Sequence, residues 1–240
     1  MIQIRNLAVT FGGVRALSDL SADIGARITG LVGPNGAGKT TLLNVMSGFV
    51  KCAAGTVTVD GTDLLRIAMN RRAAFGVRRT FQTEQVVENL TVWNNVAAAV
   101  DNLPTGGRAR HALIGEALDY VGLLRQADEI GATLNANERR LVEIARCIVA
   151  QPRVVMMDEP GAGLGQSESD HLRKVIVGIP DFSGAQVLLV DHDIDLISAT
   201  CQETLVLDFG SKIAAGPTAE VLKDPKVRSA YLGTIEDVAA

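Results

Sequence analysis

An α/β fold built around a phosphate-binding loop is what this sequence predicts, and three observations predict it. GPNGAGKT (33–40) fits G-x-x-x-x-G-K-[ST] in full, directly after the apolar run ARITGLVG and before a stretch suited to a helix. Two short apolar runs, VVMMDEP (154–160) and VLLVDHD (187–193), end in charged residues, as buried parallel strands do when their C-terminal ends face a site. Residues 84–128 carry Ala, Leu and Val at helical spacing, which reads as a helical insertion into that core.

The elements follow in order. IQIRNLAVTF alternates like a strand and meets a turn at Gly12-Gly13, and residues 2–32 as a whole read as short strands. Residues 38–48 suit a helix, and GTVTVDG (55–61) is a β-branched strand with glycine on each side. NLTVWNNVAAAV and ALIGEALDYVGLL are helical segments split by NLPTGG. A further helix is expected over 140–149, ending before QPR. The tail alternates strand and turn in TLVLDFGSKIAAG before a short helix at TAEVLKD. There is no internal repeat and no low-complexity segment.

Length and composition bound the function. With 240 residues, 47% of them hydrophobic, the chain has material for one large domain, or a core with an inserted subdomain, and is not a disordered chain. A formal net charge of −4 argues against a dominant attraction to nucleic acid or anionic lipid. Cys52, Cys147 and Cys201 are far apart with no metal-ligand spacing, which predicts reduced thiols in a cytosolic protein. The N-terminus lacks the pattern of a signal peptide, and no apolar run approaches the ~20 residues of a membrane span. Docking on a membrane protein remains compatible with all of this.

The chemistry concentrates at strand ends. In the loop, the glycines let backbone N–H groups turn inward around phosphate oxygens. Lys39 adds a point charge at the β/γ-phosphates, the Thr40 hydroxyl can ligate Mg²⁺, and the helix N-terminus favours an anion. Asp158 stands at a buried strand end, where its carboxylate can join a Mg²⁺ shell, and Glu159 follows, placed to polarise an attacking water. An Asp-Glu pair alone is more often a solvated turn; after a full phosphate loop the odds reverse. His192 ends another apolar strand, which favours a γ-phosphate contact over a merely satisfied histidine. Gln82, in RRTFQT, reads equally well as a surface glutamine or a site residue.

The ordered set GPNGAGKTT, TFQ, a helical segment, ERRLVEIAR, MMDEP and VDHD resembles the nucleotide-binding subunits of ABC transporters over essentially the whole chain. Finer stretches, TFGGVRAL, RTFQ, VLDFGSKIAAGPTAEVLKDPKV and the terminal AYLG, are similar to the ATPase subunits of branched-chain amino acid importers and their amide or urea relatives. The resemblance implies a RecA-like P-loop NTPase core with an N-terminal antiparallel β subdomain and an inserted helical subdomain. The core would take residues 1–82 and 146–240, and the insert residues 83–145. That insert is short against many importer ATPases. ATP and Mg²⁺ are the implied cofactors. Phe11 would stack on adenine, and Gly33, Pro34, Asn35, Gly36, Ala37, Gly38, Lys39, Thr40 and Thr41 would cradle the phosphates. Thr40, Gln82 and Asp158 would serve the metal, Glu159 would be the general base, His192 the switch histidine, and Gln82 a sensor of metal and lytic water.

Two segments depart from the family pattern. Where LSGGQ is expected, the chain reads LNANE, with Asn135 for Ser, Ala136 and Asn137 for the two glycines and Glu138 for Gln. In the family this segment caps the γ-phosphate held by a second ATPase subunit. Asn135 can still cap a helix, and Asn135-x-x-Glu138 resembles a capping box. Ala136 adopts positive φ less easily than glycine, Asn137 more easily than most residues, and the charge of Glu138 does not help phosphate binding. After MMDEP, GAGLGQ stands where AAGLNP is common, so Gly165 replaces Asn and Gln166 replaces Pro. The elements serving the chain's own ATP are intact, and those offered to a partner are altered.

The expectation is therefore an ATP-hydrolysing subunit of an importer for branched-chain amino acids or a related small polar solute. It would pair with an unlike ATPase subunit and two membrane permeases, be served indirectly by a soluble solute-binding protein, and lie peripherally on the cytoplasmic face of the membrane. Alternatives are an export or lipopolysaccharide system, or a non-transport ATPase acting on nucleic acid or ribosomes; no nucleic-acid partner is expected. The four arginines of RRAAFGVRRTFQ (71–82) are expected on a solvated face beside the glutamine loop, and Trp93 in the core or at a subunit contact.

Overall fold

The computed structural model describes residues 1–101, 103 and 107–232, with the backbone alone at 231 and 232. Most of the NLPTGG break and the last residue of AYLG lie outside the described residues. The chain divides into two compact units, Met1–Ala73 with the segment from Leu188 onward, and Ala74–Val187.

In the first unit, β1 (Ile2–Phe11) and β2 (Val14–Ile24) form an antiparallel hairpin across Gly12-Gly13. Ile2, Ile4, Leu7 and Val9 are buried, and the register slips between Ile4 and Leu7, where Asn6 takes a positive φ. That bulge keeps the apolar set on one face although the spacing changes from even to odd. β3 (Ile28–Val32) is buried at all five positions, the polar Thr29 included, as a central strand covered on both faces is. α1 (Lys39–Ser47) buries Leu42, Leu43, Val45 and Met46, and Gly48 ends it in the left-handed region. β4 (Ala54–Val59) pairs with the other edge of β1, and β5 (Thr62–Asp63) extends the sheet to the order β2-β1-β4-β5.

α2 (Met69–Phe75) leads into the second unit. There β6 (Val77–Arg79) precedes α3 (Val92–Ala97), α4 (Gly107–Tyr120) and α5 (Ala136–Ile148). These three helices pack on one another, and Val92, Val96, Ile114, Leu118, Leu141 and Ile144 on them are buried. β7 (Val154–Asp158) is buried throughout and runs parallel to β6. α6 (Gln166–Ser183) has no counterpart among the expected elements, because Gly178 and Pro180 are poor helix formers. Its stripe of Leu172, Val175, Ile176 and Ile179, buried at helical spacing, outweighs them. β8 (Gln186–Val190) carries the chain back into the first unit, where α7 (Ile194–Thr200) follows. β9 (Glu203–Asp208) lies parallel to β3, and β10 (Ser211–Pro217) is antiparallel to β9. Two short helices, α8 (Thr218–Val221) and α9 (Pro225–Leu232), close the described chain.

The architecture is thus mixed α/β with one antiparallel sheet, parallel strand pairs and the expected run of helices between β6 and β7. Among the described residues no helix is long and apolar enough to cross a membrane. Cys52, Cys147 and Cys201 are free thiols, and burial pushes Cys147 up to about 12.

Inside the second unit, the Tyr120 hydroxyl donates to the Val175 carbonyl at 2.6 Å, and burial pushes its pKa up to about 12. A Cβ at Gly178 would lie 2.6 Å from that hydroxyl oxygen. Gly178→Val is therefore expected to lower unfolding free energy by about 1–3 kcal/mol through overpacking. Adding Tyr120→Phe should recover part of the loss, as urea unfolding of the single and double variants will measure.

Candidate functional site

In the first unit, the loop between β3 and α1 turns through Gly33, Gly36 and Gly38, all at positive φ. Two of these glycines are required by space as well as by angle. A Cβ at Gly33 would meet the Leu207 carbonyl oxygen at 2.1 Å, and one at Gly38 the Ala16 carbonyl oxygen at 2.6 Å. The loop is pinned by its own backbone: Ala37 N–H donates to Pro34 O at 3.1 Å, and Gly210 N–H to Ala37 O at 3.1 Å. Asn35, Gly36 and Thr40 face solvent, whereas Gly33, Ala37, Gly38 and Lys39 are buried and Pro34 and Thr41 are half-buried.

Lys39 curls back over the loop, its ammonium donating to the Gly33 and Pro34 carbonyls, the latter at 3.0 Å. A cation is thereby held at the mouth of a backbone concavity, at the start of a helix whose first turn carries no acidic residue. That arrangement suits an anion. Phe11 ends β1 with 51% of its surface exposed, a flat aromatic face open to a planar ligand.

His192 follows β8 with its side chain exposed, and its Nδ1 lies 3.8 Å from Asp191 Oδ1. Asp191 is buried, and that burial holds its carboxyl above the usual range although it accepts a bond from Asp193 N–H at 2.9 Å. Asp193 in turn caps α7 through the N–H groups of Asp195 and Leu196. The VDHD stretch is thus a fixed turn with an exposed imidazole.

In the second unit, Asp158 sits at the end of β7, 5% exposed, and Glu159 follows at φ 49°. A non-glycine residue in the left-handed region costs of order 1 kcal/mol or more and points to a functional constraint. Gln82 settles here beside that pair: its amide donates to Glu159 Oε2 at 3.0 Å. The sequence left Gln82 open between surface and site, and the chain folds it against the acidic turn. Thr80, buried two residues before Gln82, donates its N–H to Met156 O, and its hydroxyl accepts from Asp158 N–H at 3.4 Å.

The segment holding Gln82 is clasped by α5. Arg140, 2% exposed, donates to Phe81 O at 2.7 Å and Gln82 O at 3.2 Å, and pairs with Glu84 at 2.7 Å. Glu143 accepts from Gln85 N–H at 2.8 Å; burial raises its carboxyl despite Arg140 beside it. Both residues lie in the expected helical stretch, but periodicity alone gave no sign that they grip this loop.

At the start of α5, Asn135 is the N-cap and its side chain accepts from Glu138 N–H at 2.9 Å, while the Glu138 carboxylate accepts from Asn135 N–H at 2.9 Å. The capping box read from the sequence is present in both halves. The helix begins at Ala136, so Ala136 and Asn137 are right-handed helical and neither uses the positive φ for which they were weighed. At the other altered segment, Gly165 N–H donates to Glu168, and α6 starts at Gln166.

The arginine stretch corrects an expectation. Of Arg71, Arg72, Arg78 and Arg79, only Arg71 is exposed. Arg72 donates to Val45 O and Met46 O at the end of α1, and Arg78 to Arg146 O, Cys147 O and Val149 O at the end of α5. Two guanidiniums thus satisfy orphan carbonyls at helix C-termini, where positive charge is favourable. The third, Arg79, pairs with Asp158. Trp93 is half-buried with its ring 4.5 Å from that of His111.

Each unit offers magnesium a hard oxygen donor of its own, the exposed Thr40 side chain in the first and the Asp158 carboxylate in the second. Among the described residues no group of three or more His, Cys, Asp or Glu could cage a metal alone, so a magnesium ion would be bound mainly through phosphates and water.

Known proteins are similar to this chain in sequence and in fold. The ABC transporter family matches residues 17–162, and the branched-chain amino acid ATP-binding cassette transporter family matches residues 211–237. The chain is 34% identical to the high-affinity branched-chain amino acid transport ATP-binding protein LivG of Salmonella typhimurium, over 97% of this chain and 98% of that one. It is 31% identical to BraF of Pseudomonas aeruginosa at the same coverage, and 33% identical to the lipopolysaccharide export ATP-binding protein LptB of Escherichia coli over 95% of each chain. Among solved structures, the ADP conformation of an ATP-binding cassette of an ABC transporter superposes with a TM-score of 0.85 at 26% identity, covering 97% of this chain and 98% of that one.

The α5 cap carries a structural expectation of its own. Asn135→Ala removes one bond of the capping box and should cost about 1 kcal/mol of stability, while Glu138→Gln preserves the geometry and should be near neutral. Denaturant unfolding of the two variants compares them directly.

Proposed function

Because the chain belongs to the ABC transporter family, we propose that it is the ATP-hydrolysing subunit of an importer for branched-chain amino acids or a related small polar solute, working beside an unlike ATPase subunit. The observation that carries the transport reading is likeness to LivG across nearly the whole chain, joined to the branched-chain match at residues 211–237. Two membrane permeases would hold the pair on the cytoplasmic face, and a soluble binding protein would deliver the solute.

The family pattern assigns the parts of the hydrolytic step residue by residue. The loop at 33–41 and the Lys39 ammonium receive the phosphates, and Phe11 offers a stacking face for adenine. By the family pattern the Thr40 hydroxyl and the Asp158 carboxylate are each assigned to Mg²⁺, which when bound would neutralise charge on the phosphates. In this reading Glu159 would take the proton of the attacking water, with Gln82 orienting it through its amide, and the exposed His192 at the end of β8 is assigned to the γ-phosphate. As in other phosphoryl-transfer sites, positioning and charge do most of the work.

The unlike partner is inferred from α5. A signature that reads a partner's γ-phosphate needs open N–H groups at the helix start. Here Asn135 N–H and Glu138 N–H are engaged in the capping box, and a carboxylate stands at that end. An anion approaching this helix meets fewer free donors and a like charge. The site formed by this chain's loop and a partner's intact signature would then turn over faster than the reciprocal one.

Likeness to LptB supports a second reading, an export system with the same ATPase chemistry. Reconstitution of the full chain with its permeases separates them: ATPase stimulation by an amino-acid-loaded binding protein is expected, and stimulation by lipopolysaccharide instead gives the export reading.

Two variants test the mechanism. Glu159→Gln should lower ATPase activity of the assembled complex by about 100-fold or more, the scale of a lost general base. Converting residues 135–138 to Ser-Gly-Gly-Gln should raise the activity of the chain purified alone by about tenfold, on the order of one restored charge-assisted contact. Vigorous cooperative activity of the unaltered chain alone would sink the unlike-partner proposal.

A further inference from the structure

The arginine that faces the acidic pair is the feature the hydrolytic reading leaves unused. Arg79 Nη2 lies 2.6 Å from Asp158 Oδ2, with the two side chains 6% and 7% exposed. The guanidinium also stands over the Phe81 ring, 5.0 Å from its centroid. Strand pairing creates the contact: Arg79 is opposite Met156 in the parallel β6–β7 ladder, and Asp158 lies two residues further along the same face. Among the described residues the contact is to Oδ2 alone, and Oδ1 accepts no bond from them.

A pair this buried is a poor device for stability, because desolvating both charges offsets most of their attraction. What it does provide is orientation. A carboxylate held through one oxygen by a planar guanidinium, itself braced on an aromatic face, has its plane set and its second oxygen presented. The neighbouring carboxylate is treated alike: Glu159, in its left-handed conformation, is held by Gln82 from the same four-residue segment. Two consecutive acids are thus each gripped by one side chain of residues 79–82.

We infer that Arg79 is a positioning residue for the metal shell, fixing the Asp158 carboxylate so that Oδ1 is presented to the Mg²⁺ that accompanies ATP. The inference rests on the reading of Asp158 as the metal-shell carboxylate. The role of Arg79 is exerted through Asp158, the group it holds. Groups that orient a ligating side chain in this way are worth about 10–100-fold in metal affinity.

The test uses the full chain with AMP-PNP and Mn²⁺ as the probe metal, following bound Mn²⁺ by its EPR spectrum, with nucleotide binding in EDTA measured separately. Arg79→Gln should weaken Mn²⁺ half-saturation by about tenfold or more and leave nucleotide affinity in EDTA within about twofold. Arg79→Lys, which keeps the charge and loses the planar fork, should fall between it and the parent chain. Parental or tighter Mn²⁺ binding by Arg79→Gln overturns the inference. If that variant does not fold, Arg79→Lys decides, and an unchanged Mn²⁺ affinity there overturns it equally. Asp158→Asn separates the two levels. Should it leave Mn²⁺ affinity unchanged, the assignment of Asp158 fails; should it weaken binding while the Arg79 variants do not, the positioning role fails alone.

Discussion

Charge withdrawn from water must find a partner, and much of this molecule's loop structure follows from that constraint. A buried ion left unpaired costs several kcal/mol, so each buried basic side chain dictates where oxygen atoms have to be. Lys39 ends on the Gly33 and Pro34 carbonyls and Arg72 on the end of α1. In the second unit Arg78 ends on the last carbonyls of α5, Arg79 on Asp158, and Arg140 on the backbone at Phe81 and Gln82. None of these residues sits in a sheet or apolar cluster for packing alone. They connect the regular elements to the loops between them.

The consequence is that the loops carrying polar side chains of the candidate site are tied to regular elements by hydrogen bonds and ion pairs. Residues 79–85 have little regular structure beyond the end of β6, yet Arg140, Glu143 and Arg146 bind them to α5 and two of their side chains reach Asp158 and Glu159. Such clasping over-determines the local conformation, which is the condition under which a strained residue such as Glu159 persists. The phosphate loop is built by the opposite device. Its glycines admit backbone where any Cβ would collide with Leu207 O or Ala16 O, so absence of a side chain shapes it.

A large part of the element order was legible because local rules suffice for it. β3, β7 and β8 are short apolar runs ended by glycine or charge, and α1 follows a glycine-rich turn and stops at Gly48. The Asn135–Glu138 box was legible for the same reason, since both partners lie within one helical turn. α6 was not, because propensity at Gly178 and Pro180 speaks against a helix that its buried stripe nevertheless secures. The arginines of residues 71–82 were misread as a solvated face, because charge in a sequence reports on water only when no partner is near in space.

By itself, then, the sequence determined what depends on neighbours a few residues apart: the glycine geometry of the phosphate loop, the strand ends at Asp158 and His192, the capped start of α5, and through their order the family. Tertiary structure alone decided what depends on groups far apart along the chain. Gln82 meets Glu159, Arg79 meets Asp158, and Arg140 takes the carbonyls of Phe81 and Gln82, at separations of 77, 79 and 59 residues for the closest bonds. The physical reason is that periodicity and propensity report which face a residue occupies. A hydrogen bond or ion pair is set by where two faces come to rest, and that is settled only when the core has closed.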